Sequence, residues 1–201
     1  MHWTTEHGSN ILELQLRHNP VIIRVNEFNE QSASDFSKQI GLAHNTGQDV
    51  IPIVIDSYGG QVYSLMSMIA SIKASTLPIA TIVEGKAMSC GVLLASCGTK
   101  GYRYVTEDAT LMIHDVSSMQ YGKNAELQAS ADETKRLNEK IYKILDTNCG
   151  KDPGYFNKEV FNRGRADWFV TPEEAIAIGL TDHIKMPKFH IISKCEINFV
   201  G

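Results

Sequence analysis

A serine at a turn, a histidine at the end of an apolar run and several aspartates give this chain the residue types that acyl transfer uses. Ser89 lies in Gly85-Lys86-Ala87-Met88-Ser89-Cys90-Gly91. The β-type run Ile79–Val83 leads into it, and an apolar stretch ending at Gly98 follows. That pattern predicts a strand, a tight turn and a helix start, with the hydroxyl at the turn. Free N–H groups and the positive end of a helix dipole stabilise developing negative charge, which suits a nucleophilic serine. The elbow pattern Gly-x-Ser-x-Gly is missed by one residue, since Ala87 stands where its first glycine belongs. The purely structural alternative is a small-residue turn that packs a core helix.

A nucleophilic serine needs a base. His114 closes the run Leu111-Met112-Ile113, which puts it at the carboxyl edge of a strand, where the crevice of a parallel α/β fold opens. His2, His7 and His18 sit in polar terminal stretches instead. The base needs an orienting carboxylate. Asp167 is one candidate, and its neighbours Trp168 and Phe169 predict partial burial; Asp108, Asp115 and Asp182 compete, and position alone does not choose. The oxyanion needs two donors. The Cys90 N–H, next after Ser89, offers one, and the pair Gly59-Gly60 offers the other, because glycine lets a backbone approach closely. Neither a G-x-G-x-x-G turn nor a lysine-serine phosphate loop is present.

The elements that must hold these groups alternate. Ile11–Leu16 and Val21–Val25 predict strands, and Ser32–Leu42 predicts a helix with Phe36, Ile40 and Ala43 inward, capped by Ser32 or Ser34. Val50–Ile55 reads as a strand buried on both faces, and Tyr63–Ala74 as a helix with Leu65, Ile69 and Ile72 inward. Gly101–Val105 and Ala109–Ile113 are two more strands. Repeated alternation implies an α/β fold with a largely parallel sheet. After a polar stretch, Ala125–Cys149 is long and helical, and either projects toward a neighbour or lies on the surface. Thr171-Pro172-Glu173-Glu174 is a capping-box helix start that stops at Gly179. The tail from Phe189 to Val200 predicts an edge strand.

Composition narrows the classes. The chain has 201 residues, enough for one domain, with 43% hydrophobic and 21% charged residues. Its net charge of -4, with scattered lysines and arginines, predicts no nucleic-acid partner. Apolar windows are broken by Pro52, Asp56, Pro78 or Glu84, so no membrane span is expected, and the polar stretch Met1–His7 does not read as a signal peptide. Cys90, Cys97, Cys149 and Cys195 form no C-x-x-C pair, so no metal site is expected and a reducing, cytoplasmic setting is.

The order glycine pair, serine, histidine, aspartate, with these neighbours, resembles the Clp protease proteolytic subunit family of serine peptidases across about Pro20 to Ile184. Asp56-Ser57-Tyr58-Gly59-Gly60 is similar to its Asn-Ser-Pro-Gly-Gly turn, and Gly85–Gly91 to its Gly-x-Ala-Ala-Ser-Met-Gly segment. Leu111-Met112-Ile113-His114 is similar to its Met-Ile-His-Gln-Pro segment, and Arg165–Phe169 with Pro172–Asp182 to its Arg-Asp-x-Phe and Gly-Leu-Ile-Asp stretch. The resemblance implies one ClpP/crotonase-like α/β domain of repeated β-β-α units over residues 1–201. It implies a protruding helical handle at about 115–150, flanked by divergent ends at 1–19 and 185–201.

By the same resemblance Ser89 is the nucleophile, His114 the base and Asp167 its partner, with Gly60 and Cys90 as oxyanion donors. It also implies heptameric rings stacked into a barrel and no cofactor in this chain. ATP would be used only by a partnering AAA+ unfoldase, and partner Clp subunits are a further implied association. Tyr58 replaces the family's proline before the glycine pair, and Asp115-Val116 replaces its Gln-Pro, so Asp115 competes with Asp167 for the imidazole. Pro52 and Val54 stand where the family lines its unfoldase groove with aromatics, which predicts altered docking. Such departures fit a phage-encoded or accessory paralogue. A crotonase-type acyl-CoA enzyme and a non-catalytic ring subunit are the competing readings.

Overall fold

The computed structural model describes residues 13–17, 19–117 and 121–192. In chain order the elements are β1 Glu13–Arg17, β2 Ile23–Val25, α1 Glu30–Asn45, β3 Ile51–Ser57 and α2 Val62–Ala74. Then come β4 Ile79–Met88, α3 Cys90–Ser96, β5 Arg103–Val105, β6 Thr110–Ile113 and α4 Asn124–Asn148. The last are α5 Tyr155–Asn162, β7 Trp168–Val170, α6 Pro172–Ile178, β8 His183–Ile184 and β9 Lys188–Ile192. The fold is the predicted α/β class, built on a mainly parallel sheet.

The strand β4 organises that sheet. It pairs with β3 along one edge, and its other edge forks. Thr81–Val83 pair with β5, while Lys86–Met88 pair with β6. A strand rises about 3.3 Å per residue, so ten residues are long enough to serve two short neighbours in turn. The sheet order β2-β3-β4-β5-β8 is parallel throughout, and β7 joins β6 as its antiparallel neighbour. Pro52 is tolerated inside β3 because β2 begins opposite Ile53, one residue later.

Both faces of the sheet are covered, as the unbroken apolar run of β3 requires. The main core gathers Ile53, Ile55, Leu65, Met68, Leu94 and Leu145 with their neighbours between sheet and helices. Val50, Val54, Ala80, Ile82 and Tyr104 form a second cluster, against which Phe189 packs. Pro52 and Val54 are therefore buried. The helix α4 buries Leu137, Ile141, Tyr142 and Leu145, whereas residues 121–129 at its amino end are exposed.

Several boundaries differ from the sequence expectation. The strand β4 does not end at Val83 but runs to Met88, because Lys86–Met88 gain β6 as a partner. Helix α1 starts at Glu30, with Asn29 as cap; Ser32 is instead the third residue of a capping box, its N–H donating to Asn29 Oδ1 at 2.8 Å. The short elements α5 and β7 were not expected. The terminal strands β1 and β9 pair with each other in parallel; the remainder of both predicted end segments, residues 1–12 and 193–201, lies outside the described residues.

Candidate active site

A single residue, Ser89, makes the turn between β4 and α3. Its backbone has φ 54° and ψ -118°, a conformation that costs a non-glycine residue about 1–3 kcal/mol. The neighbours enforce it. The Ser89 N–H donates to Met112 O at 2.9 Å, tying the turn to β6. Gly59 sits directly against the serine: a Cβ there would lie 2.8 Å from Ser89 Cβ and 3.0 Å from Met88 O. Ala87, in place of the elbow's first glycine, is fully buried between Ser57 of β3 and Leu111 of β6.

The pairing of β6 with β7 delivers the histidine and the aspartate. Leu111 faces Val170, Met112 faces Phe169 and Ile113 faces Trp168. One more step along that antiparallel register sets His114 opposite Asp167, and directly opposed side chains share a face. His114 Nδ1 lies 3.6 Å from Asp167 Oδ1. The imidazole is mostly buried, but the Asp167 side chain is 54% exposed, which corrects the expectation of partial burial. Trp168 takes the inward position of β7, so its neighbours Asp167 and Phe169 face out.

The rival carboxylates are otherwise engaged or remote from the ring. Asp182 binds Arg103 through both oxygens, at 2.6 and 2.9 Å. Asp115 accepts from Tyr142 Oη at 2.6 Å and Arg165 Nη1 at 2.8 Å, so it does not compete for the imidazole. Asp108 lies on an exposed turn after β5.

Ser89 and His114 line one cavity of about 240 Å³, whose walls include Val62, Leu65, Leu93, Met112 and Ile141. Among the described residues, Ser89 Oγ and the imidazole are not hydrogen-bonded to each other. Catalytic hydrogen bonds are often long before substrate binds.

Gly60 lines the same cavity. In its parallel bridge with Phe28, Gln61 N–H donates to Phe28 O at 2.8 Å, a pattern in which the Gly60 amide takes no part. Cys90 is the first residue of α3, so its N–H has no partner within the helix. Its thiol is no rival nucleophile. Burial pushes it up to about 11, and Sγ rests 3.3 Å from Gly60 O.

Of the five residues expected at the site, Gly60, Ser89, Cys90 and His114 line this cavity, whereas Asp167, just before β7, lies beside His114 and outside the lining. Sequence reading did not single out Gly59 as the wedge behind Ser89, Arg165 as the partner of Asp115, or Tyr142. The glycine pair was a usable signal for the first; nothing in the spacing of Asp115, Tyr142 and Arg165 announces the others.

Against known proteins, a family model described as Clp protease matches residues 5–188, a span that contains every residue of this site.

Proposed function

The chain belongs to the Clp protease family, and we propose that it is a serine peptidase subunit working through Ser89, His114 and Asp167. Ser89 Oγ attacks the carbonyl of a peptide bond while the imidazole of His114 takes its proton and later passes it to the leaving amine. Asp167, on the Nδ1 side, leaves Nε2 for the serine. The N–H groups of Gly60 and Cys90 bind the oxygen as it becomes negative. Water then releases the acyl group by the same proton path in reverse, so the reaction needs no cofactor in this chain.

The observation that carries this reading is the strained turn at Ser89 on the wall of a cavity shared with His114. A residue that only packed a turn would gain nothing from a conformation that glycine adopts more cheaply. Neither a crotonase-type enzyme nor a non-catalytic ring subunit gives that strain a use.

Family members form oligomeric rings. For this chain we read a heptameric ring, stacked through the exposed amino half of α4, where Leu127 is 38% exposed. An AAA+ unfoldase would feed the barrel. The burial of Pro52 and Val54 supports altered docking to it.

The test is acylation by a fluorophosphonate probe, followed by native mass spectrometry of the same sample. The parent is expected to label at Ser89 and Ser89→Ala not to label. Equal labelling of the two proteins would overturn the assignment.

A further inference from the structure

The β6–β7 ladder stops at Ile113 and Trp168, one residue short of the pair that the proposed mechanism needs close together. Beyond Ile113 the chain from His114 to Ser117 has no regular structure. Beyond Trp168, toward the amino end, lies a turn in which Arg165 takes φ 57°. An open ladder end of this kind frays, and the 3.6 Å separation of His114 from Asp167 is too long to close it. Something else must fix the spacing.

Two contacts lie beyond the open end. Asp115, the residue after His114, accepts from Arg165 Nη1 at 2.8 Å, and Arg165 stands two residues before Asp167. The His114–Asp167 pair is thus bracketed by the Ile113–Trp168 ladder pair on one side and an ion pair on the other. The second oxygen of Asp115 accepts from Tyr142 Oη of α4 at 2.6 Å. Next along the chain, Val116 N–H donates to Asn138 Oδ1, also of α4, at 2.7 Å. Burial first, and then the Asp115 carboxylate, push the Tyr142 phenol up, so it remains a donor. On the other strand Arg165 N–H donates to Val160 O at 3.0 Å, which fixes the left-handed turn from the α5 side.

We propose that Asp115, acting through Arg165 and Tyr142, is a positioning residue that holds His114 and Asp167 across the open end of the β6–β7 ladder and ties both to α4. The inference rests on the peptidase reading above. It assigns a use to the departure from the family pattern after His114, and it leaves Asp115 out of direct contact with substrate. Because the anchor is on α4, movement of that helix would be felt at the base.

The experiment measures kcat and KM on a short chromogenic peptide, and the rate of fluorophosphonate acylation, for the parent and four variants. Asp115→Asn keeps an acceptor for Tyr142 but loses the ion pair. Arg165→Gln removes the pair from the other side, Arg165→Lys restores the charge, and Tyr142→Phe deletes one hydroxyl. Both groups of the ion pair are partly exposed, so the changes at Asp115 and Arg165 leave the core intact, and Tyr142→Phe keeps the buried ring of that residue; Arg165→Gln and Tyr142→Phe stand in if Asp115→Asn does not fold. Misplacement of a catalytic group by a fraction of an ångström costs about tenfold or more. Asp115→Asn and Arg165→Gln are expected to lose about tenfold in kcat and in acylation rate with KM within twofold. Arg165→Lys is expected to recover most of that loss, and Tyr142→Phe to lose about threefold. Parental kcat in both Asp115→Asn and Arg165→Gln, or a rise in KM with kcat unchanged, overturns the inference. A parent that neither cleaves nor labels overturns the peptidase reading itself and removes the brace's purpose with it.

Discussion

Replacing Gly59 with alanine tests whether the serine elbow is held by backbone proximity. Two costs arise at once. Gly59 has φ 105°, and an L-residue forced there loses about 1–3 kcal/mol. The new methyl would also lie 2.8 Å from Ser89 Cβ and 3.2 Å from Ser89 Oγ, where ordinary contact starts at 3.4 Å. The first contact must lengthen by 3.4 - 2.8, or about 0.6 Å, and Met88 O at 3.0 Å on the same side leaves the serine as the part that gives. A total near 3 kcal/mol corresponds to a fall in Tm of about 6–12 °C for a domain of this size. A displacement of that order is expected to slow acylation by about ten- to hundredfold. The assay pairs thermal unfolding with the rate of fluorophosphonate labelling. Gly41→Ala is the control, because that glycine lies in α1 with nothing within 4 Å of its missing Cβ. It is expected to gain about 0.5–1 kcal/mol and to label at the parental rate. A Gly59→Ala protein that melts and labels like the parent would refute the close-approach argument.

Two further outcomes follow from the same coordinates. Ser89→Gly removes the strain at φ 54° together with the hydroxyl, so it is expected to abolish labelling while raising Tm by about 2–4 °C, the equivalent of about 1 kcal/mol; a lower Tm than that of Ser89→Ala would contradict the strain. Asp182→Asn strands the guanidinium of Arg103, whose side chain is 4% exposed, at a cost of about 3 kcal/mol by urea denaturation. Burial alone would raise the Asp182 carboxyl, but the hydrogen bonds and charge of Arg103 and the N–H groups of Gly101 and Arg103 outweigh it and hold the group below its ordinary value. That contribution is complete above the unfolded value of about 4 and is lost as pH falls through the lower folded value. Stability below about pH 4 should therefore decline less steeply in Asp182→Asn than in the parent, and parallel pH curves would count against it.

Much of this fold is legible in the chain because its signals are local. The buried run of β3, the inward spacing of α2 and the Thr171 capping box each follow from neighbouring residues. The capping box is realised as the sequence spells it, with Thr171 Oγ1 accepting from Glu174 N–H and Gly179 ending the helix in a left-handed turn. What is not legible depends on partners far along the chain. The extension of β4 past Val83 is stabilised by β6, more than twenty residues later, and Lys86 inside it gives no apolar pattern to read. Strand β7 is three residues long; it buries Trp168 and Val170 and exposes Phe169, an alternation that three apolar residue types do not show, and so short a run cannot say which strand it will join. The misjudged burial of Asp167 has the same origin. Aromatic neighbours signal that a strand has an inner face, and they leave open which of its residues turn toward it.

The site residues were readable for a reason that differs from residue to residue. Ser89 was visible through its surroundings, because small residues and a helix start mark a turn whatever packs around it. His114 was visible through its position at the end of an apolar run. Asp167 was not separable from its rivals by local sequence; it is the register of β6 on β7 that puts it across from His114, and it is Arg103, Tyr142 and Arg165 that occupy the other carboxylates. An aspartate is thus free to face the imidazole when the rival next to the ring, Asp115, has a cation and a hydroxyl of its own. On this argument the specificity of the pair lies as much in the partners of Asp115 as in Asp167 itself, and a change that frees Asp115 changes the environment of the neighbouring imidazole without touching Ser89, His114 or Asp167.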